Sequence, residues 1–238
     1  MDNPKELYHG RRYGKGAELE WLDPTTAPAQ ERNGRVGQFL YATHRLDQAI
    51  LYGLPFPGVA GSFIDTLDGS PDDTLIRFDG RPGAAARAPI EPCLVHAVSP
   101  EGFERVGRNP REWIKDSGAK AWTKARVAGL DDVLSAGVQY LTLAPGRDAA
   151  DVLAFSERSR VSGLTTRETV AQSIAGDDPL FVWENERAGL GMDPKLNELV
   201  KGLRAKAGIP CKLASRREGR GPGAEPAPLD VGKQKTKP

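Results

Sequence analysis

Three short clusters contain residue types that can do chemistry, and they follow one another along the first half of the chain. The first is Leu7-Tyr8-His9-Gly10, the second runs from Gly37 to Thr43 with Tyr52 after it, and the third is Arg111-Glu112-Trp113-Ile114. An imidazole can donate or accept a hydrogen bond, a phenol ring can stack on a flat cation, and a carboxylate can stabilise positive charge or accept a proton. These groups form a site only if the fold brings them together.

Several common catalytic motifs are missing from the sequence. It contains no GxxxxGK[ST] phosphate loop, no GxGxxG fingerprint, no HExxH helix and no GxSxG elbow. These motifs hold phosphates, dinucleotides, zinc ions and serine nucleophiles, respectively. Their absence argues against P-loop NTPases, Rossmann dehydrogenases, zinc proteases and α/β-hydrolases.

The order of the three clusters resembles the His, Tyr, Glu pattern of the diphtheria-toxin and poly-ADP-ribose-polymerase branch of the ADP-ribosyltransferase superfamily. In that family the first strand carries a Tyr-His-Gly motif, as Tyr8-His9-Gly10 does here. The second motif is a glycine, an apolar strand and a helix with a further tyrosine, which residues 39–52 match. The third is a glutamate on a later strand, for which Glu112 is the candidate. The resemblance covers roughly residues 5–143 and implies an α+β fold with a split antiparallel β-sheet core and flanking helices.

This resemblance implies that the chain binds NAD as a substrate and uses no metal. His9 would hydrogen-bond a ribose hydroxyl on the adenosine side, and the backbone of Gly10 would hold the nicotinamide amide. Tyr41 and Tyr52 would stack on the nicotinamide ring, a contact of about 0.5–2 kcal/mol. Glu112 would bind the nicotinamide ribose and stabilise the oxocarbenium ion formed as nicotinamide leaves. The implied catalytic group is therefore Glu112, His9 and Tyr41.

Three further residues are expected to contact NAD. Thr43 ends the second motif and is included among the NAD-binding residues. Arg11 and Arg12 follow His-Gly where relatives have a small hydroxyl residue, and their guanidinium groups suit the pyrophosphate of the dinucleotide.

Each site residue also has a purely structural interpretation. His9 could be a hydrogen-bonded structural histidine, and Tyr41 and Tyr52 could be core aromatics. Glu112 lies among charged neighbours and could be a solvated surface carboxylate. The other histidines, His44 and His96, match no motif and are expected to be structural.

The elements that must position these residues are mainly short strands. Four predicted strands are bounded by Gly, Pro or polar residues and cover 6–9, 39–42, 92–98 and 138–143. Thr43 is predicted to cap a helix with one apolar face that Pro55 ends. A short helix is predicted over 130–136, and the Gly/Pro/Asp-rich residues 58–89 are predicted to form surface loops.

After Pro145 the pattern becomes helical. Thr165 and Glu168 have capping-box spacing, and Asp193-Pro194 begins a helix with an apolar stripe. The last residues contain almost no large apolar side chain and are expected to be disordered. The predicted organisation is an ADP-ribosyltransferase-like domain (1–145), a helical C-terminal extension (146–213) and a disordered basic tail (214–238).

Composition and charge narrow the choice of partners. The chain is 39% hydrophobic and 27% charged, with a formal net charge of +1. In the tail six basic residues oppose three acidic ones, so it carries +3 and leaves about −2 for the body. This balance argues against a nucleic-acid-binding body or a membrane partner, although the tail could contact nucleic acid or an acidic partner weakly.

Cellular location follows from the N-terminus and from the cysteines. The first residues contain no signal-peptide stretch, and no apolar run approaches the length of a membrane span, so we expect a cytoplasmic protein. Cys93 and Cys211 form no CxxC pattern and are expected to be small buried residues rather than disulfide or zinc ligands.

Three functions fit the sequence. The leading one is a mono-ADP-ribosyltransferase that transfers ADP-ribose from NAD to a protein, nucleic acid or small molecule. The second is an RNA 2′-phosphotransferase-like enzyme, which uses a related fold and NAD and is favoured by Arg11 and Arg12. The third is a non-catalytic binding or structural module of the same fold.

Overall fold

A computed structural model describes residues 4–12, 19–24, 29–54, 62–70, 72–83, 92–107, 109–161 and 163–209. Its strands are β1 (Leu7–Arg12), β2 (Trp21–Leu22), β3 (Gln30–Arg32), β4 (Arg35–Gly37), β5 (Leu40–Ala42), β6 (Phe63–Thr66), β7 (Leu75–Pro82), β8 (Cys93–Val98), β9 (Glu104–Val106), β10 (Asn109–Lys115), β11 (Ala119–Val127), β12 (Gln139–Leu143) and β13 (Phe181–Trp183). Its helices are α1 (Leu46–Gly53), α2 (Leu130–Ser135), α3 (Ala149–Val161), α4 (Thr166–Ala175), α5 (Glu184–Ala188) and α6 (Pro194–Lys206). The predicted α+β class is confirmed.

Two antiparallel sheets are connected, within the described residues, through one backbone bridge. The first sheet has the order β1-β8-β11-β2 and the second has the order β5-β10-β9. They are joined by one bridge, in which the Tyr8 amide donates to the Thr43 carbonyl at 2.6 Å and the Thr43 amide donates to the Tyr8 carbonyl at 2.9 Å. Away from this bridge β1 pairs with β8 and β5 pairs with β10, so the two sheets separate.

The third sheet shows where the antiparallel prediction is wrong. Its order is β13-β12-β7-β6, and β7 and β12 are parallel. A parallel pair needs a crossover, and here the chain between the two strands builds most of the first two sheets before it returns. The sheet core is therefore mixed rather than antiparallel throughout.

The prediction that residues 58–89 form surface loops is also wrong. β6 and β7 lie in this stretch and pair in antiparallel register. Ile76 and Phe78 are completely buried, and the Phe78 ring stacks on Phe63 with centroids 4.2 Å apart. The polar residues Arg77 and Asp79 alternate with these apolar ones but are themselves almost fully buried. The alternation of apolar and polar residues over 76–79 is itself a strand pattern, which the sequence analysis missed inside a stretch rich in Gly, Pro and Asp.

Helix α1 begins later than predicted. Its N-cap is Arg45 rather than Thr43, and no side chain caps it. The Thr43 hydroxyl instead accepts from the Arg45 amide at 3.2 Å and donates to Gln48 Oε1 at 2.9 Å. Thr43 is fully buried, and these two hydrogen bonds attach it to the first turn of α1. Pro55, the predicted stop, lies outside the described residues.

The two predicted C-terminal helix starts are confirmed. The Thr165 hydroxyl accepts from the Glu168 amide at 3.2 Å, and the Glu168 carboxylate accepts from the Thr165 amide at 2.9 Å. The Asp193 carboxylate accepts from the Leu196 amide at 2.8 Å at the start of α6. These caps satisfy amides that the first helical turn leaves without partners.

The C-terminal helices share a core with the third sheet. This core includes Phe78 and Leu141 from before residue 145 and Val170, Phe181 and Leu196 from after it. The strand β13, which the helical pattern did not predict, pairs with β12 inside this sheet. The predicted disordered tail, 214–238, lies outside the described residues, as does Cys211. Within the described ranges, no helix is long and apolar enough to cross a membrane.

Candidate functional site

A pocket of about 380 Å³ opens where β1 and β5 separate. This volume falls within the range of small-molecule sites. Five of the predicted site residues line it, from three separate parts of the chain. The full lining is Tyr8, His9, Gly10, Gln30, Arg32, Tyr41, Ala42, Tyr52 and Glu112.

His9 is fixed in one tautomer by the neighbouring sheet. Its Nδ1 lies 2.6 Å from the carbonyl oxygen of Tyr41. Because a carbonyl only accepts hydrogen bonds, Nδ1 carries the proton in this contact, and in the neutral ring Nε2 is then an acceptor. Burial lowers the pKa of His9 more than the hydrogen bond to the Tyr41 carbonyl raises it, and the Arg11 charge adds a smaller lowering. The site therefore offers a neutral imidazole whose Nε2 can accept a hydrogen bond from a hydroxyl group.

Tyr41 makes polar contacts through both its hydroxyl and its ring. Its hydroxyl donates to Gln30 Oε1 at 3.0 Å, and the Arg32 guanidinium carbon lies 5.6 Å from its ring centroid. Burial raises the pKa of Tyr41. The ring therefore stays a neutral phenol that already has a planar cation within cation–π range.

Tyr52 is the most exposed aromatic in the pocket, at 50% exposure. Its hydroxyl accepts from Gln48 Nε2 at 2.8 Å, and Gln48 is in turn held by the buried Thr43 hydroxyl. Thr43 does not line the pocket, but its side chain is linked to Tyr52 through Gln48 and its backbone is bonded to Tyr8. The exposure of Tyr52 is unlike that of a core aromatic and leaves ring surface open to a ligand.

Glu112 lies on β10, where the pairing with β9 is irregular. The register shifts between Asn109 and Trp113, so Glu112 sits within a bulge, a feature that re-aims side chains. Its side chain is 17% exposed, and its Oε1 lies 3.8 Å from Arg32 Nε. Despite its charged neighbours in sequence, Glu112 is a mostly buried carboxylate inside the pocket.

Gln30 and Arg32 were missed by the sequence analysis. They belong to the β3–β4 hairpin, whose turn residues Asn33 and Gly34 both have positive φ, at 51° and 75°. Asn-Gly is the strongest short-range hairpin signal, because a type I′ turn needs positive φ at both positions. That dipeptide could have identified the hairpin, although not that it faces the pocket.

Gly10 has a packing role besides lining the pocket. A Cβ built at this position would lie 1.8 Å from the Ala49 carbonyl oxygen and 2.7 Å from the Gly53 amide nitrogen. Helix α1 therefore rests directly on the backbone of β1, which places Tyr52 beside His9. Only glycine permits this approach.

His96 lies directly across β1 from His9 in the register of the first sheet. It is fully buried, and neither ring nitrogen has a hydrogen-bond partner among the described residues. Burial, followed by the charges of His9 and Arg11, lowers the pKa of His96 to about 4. The residue is therefore neutral at physiological pH.

This depressed pKa predicts a specific loss of stability in acid. An unfolded histidine titrates near 6.5, so below that pH the unfolded chain binds a proton that folded His96 does not take up until about pH 4. The free energy of unfolding should fall by about 3 kcal/mol from this residue alone between those values. Urea unfolding at pH 7 and pH 4.5 measures the fall, and His96→Leu should have a shallower pH dependence. An identical slope in the variant would contradict the assignment.

The described residues contain no group of three or more His, Cys, Asp or Glu side chains arranged to hold a metal ion. Arg11 lies next to the pocket on β1 but is not part of its lining. Comparisons with models of protein families, with curated proteins and with solved structures found no match to this chain.

Proposed function

We propose that this protein is a mono-ADP-ribosyltransferase, which transfers ADP-ribose from NAD to an acceptor and releases nicotinamide. The observation that carries the proposal is the meeting of His9, Tyr41, Tyr52 and Glu112 in one pocket. These residues come from β1, β5, α1 and β10, and they are the residues that resemble the His, Tyr, Glu pattern of the ADP-ribosyltransferase superfamily.

The pocket suits a flat cation attached to a sugar. Tyr41 and Tyr52 offer aromatic surface to the nicotinamide ring, for which cation–π contact contributes about 0.5–2 kcal/mol. The acceptor nitrogen of His9, left free by the Tyr41 carbonyl, would receive a hydrogen bond from a ribose hydroxyl. Glu112 provides the negative charge close to the sugar carbon that becomes electron-deficient.

The reaction follows from this arrangement. The bond between the ribose carbon and the nicotinamide nitrogen breaks, and its electron pair goes to the nitrogen, so nicotinamide leaves uncharged. Positive charge then develops on the ribose, where the buried carboxylate of Glu112 stabilises it more strongly than water would. A nucleophilic atom of the acceptor forms the new bond and loses its proton to Glu112 or to solvent.

The direct test is incubation of the full chain with NAD labelled in its adenylate half. Released nicotinamide and labelled macromolecules in an added cell extract would support transfer to a macromolecule. Nicotinamide release without labelled macromolecules would indicate water or a small molecule as the acceptor. If the protein binds no NAD by calorimetry at millimolar ligand, the enzyme proposal fails, and the non-catalytic module takes its place.

Arg32 provides a second test of where the nicotinamide binds. In the free pocket its guanidinium contacts both the Tyr41 ring and Glu112, the two groups proposed for the cationic ring. Nicotinamide would have to displace it, breaking a partly exposed ion pair and a cation–π contact. Arg32→Gln should therefore tighten NAD binding by about threefold to tenfold, measured by calorimetry.

Arg35 is the matched control for this prediction. It faces Arg32 across the same hairpin but pairs with Glu104 at 2.8 Å, outside the pocket. Arg35→Gln removes the same charge and should leave NAD affinity unchanged. Weaker NAD binding by Arg32→Gln would show that Arg32 contacts the bound substrate instead of giving way to it.

A further inference from the structure

Three polar residues share one face of the first sheet with His9. The antiparallel register places His9 opposite His96 and His96 opposite Thr123. Side chains of directly opposed residues point to the same face, and Arg11, two positions along β1 from His9, shares that face. Arg11 and His96 are therefore the neighbours of His9 on this face, and Thr123 lies beyond His96 on the next strand.

Within the described part of the chain, these three side chains lack the partners that buried polar groups normally have. His96 is fully buried, and among those residues neither its ring nitrogens nor the buried Thr123 hydroxyl have a hydrogen-bond partner. Arg11 is half-buried, and no hydrogen bond or ion pair joins its side chain to another described residue. The register makes Arg11 the diagonal neighbour of His96, and its charge lowers the pKa of both His9 and His96. An unsatisfied buried polar group costs stability, so such a cluster indicates a site for a ligand.

The chemistry of the cluster selects an anion. A neutral imidazole has one N–H donor, a threonine hydroxyl can donate one hydrogen bond, and a guanidinium has five donors and a permanent charge. Phosphate oxygens accept several such bonds, and Arg binds them in a planar, charge-assisted geometry. A cationic ligand would meet the Arg11 charge with no carboxylate in this trio to offset it.

We propose that Arg11, His96 and Thr123 form a subsite for the pyrophosphate of NAD, with Arg11 at its entrance and the other two at its floor. This inference rests on the proposed function, in which the adjacent His9 binds the adenosine ribose. That ribose is joined directly to the pyrophosphate, so the two subsites must be neighbours. The subsite would hold the dinucleotide by its anionic centre while the pocket holds its cationic ring.

The first test separates the two ends of the substrate. ADP-ribose contains the pyrophosphate and nicotinamide does not, so calorimetry with each probe reports one end. Arg11→Gln should weaken ADP-ribose binding by about tenfold to a hundredfold and leave nicotinamide binding unchanged. Arg35→Gln, with the same loss of charge outside the site, should change neither. Equal effects on both probes, or no effect on ADP-ribose, would overturn the subsite.

The second test uses His96→Leu, for which stability and binding should move in opposite directions. Leucine removes two unpartnered buried nitrogens, so the melting temperature should rise or stay constant at neutral pH. Affinity for ADP-ribose should nevertheless fall by about threefold to tenfold. A purely structural histidine would leave the affinity unchanged in a folded variant, and that result would overturn the role of His96.

The two proposals fail in different ways. If the wild-type chain binds NAD but Arg11→Gln binds ADP-ribose as tightly as wild type, the subsite is wrong and the enzyme proposal stands. If the wild-type chain binds neither NAD nor ADP-ribose, both are wrong.

Discussion

Glu112→Gln is expected to lower the rate of nicotinamide release by at least about 100-fold while changing NAD affinity by less than about threefold. Glutamine has nearly the same size and can still accept a hydrogen bond from ribose, so the ground-state contacts persist. The negative charge is lost, and that charge acts mainly where the ribose becomes positive in the transition state. The effect should therefore appear in kcat and kcat/KM together. A continuous assay of free nicotinamide at saturating and limiting NAD measures both.

Glu104→Gln is the control for this change. Glu104 lies on the neighbouring strand β9, its side chain is 58% exposed, and it pairs with Arg35 outside the pocket. It should retain wild-type turnover. Both variants must first show a cooperative melt, because loss of the fold would imitate loss of catalysis. Full turnover in folded Glu112→Gln would remove Glu112 from the mechanism.

Gly10→Ala is expected to destabilise the protein by about 3 kcal/mol or more, equivalent to a fall in melting temperature of roughly 6–12 °C. The new methyl group would overlap the backbone of α1 at Ala49 and Gly53. Backbone atoms cannot rotate away as a side chain can, so the helix must shift off β1. Thermal unfolding followed by circular dichroism measures the change. NAD affinity should fall as well, since Tyr52 moves with the helix.

Gly176→Ala provides the matched glycine control. A Cβ there meets open space, and φ is −73°, which alanine adopts without strain. Its melting temperature should stay within about 2 °C of wild type, because surface substitutions change stability by less than about 0.5 kcal/mol. If Gly10→Ala melts like Gly176→Ala, close helix packing is not the reason for a glycine after His9.

The sequence was most informative where local physics determines the structure. The β8 strand was predicted to within one residue, because Pro92 and Ser99 bound its apolar run. The caps at Thr165 and Asp193 were predicted correctly, since side-chain capping depends only on neighbours within one turn. His9, Gly10 and Glu112 were selected as a set by motif order, and the structure brings all three to one pocket.

The sequence was less informative where contacts between distant residues determine whether a side chain is buried or faces the pocket. The strand β7 contains buried Arg77 and Asp79, which are stabilised by contacts such as the Tyr140 hydroxyl donating to Asp79 at 2.6 Å. No pattern in the neighbouring sequence predicts that Asp79 will be hydrogen-bonded to a residue 61 positions away. Arg32 reaches the pocket in the same way, because the β3–β4 hairpin lies against the site through tertiary contacts. The burial of Glu112 among charged neighbours likewise depends on the arrangement of other strands.

The pairing of β1 with β8 also determines when β1 can enter its sheet during synthesis of the chain. In the described structure the sheet partner of β1 is residues 93–98, and Glu112 follows later still. A ribosome adds roughly 5–20 residues per second, so His9 and Gly10 must wait several seconds after they are made before their partner strand emerges. During that interval a nascent chain exposes an unpaired strand edge, which is the segment we expect chaperones to protect.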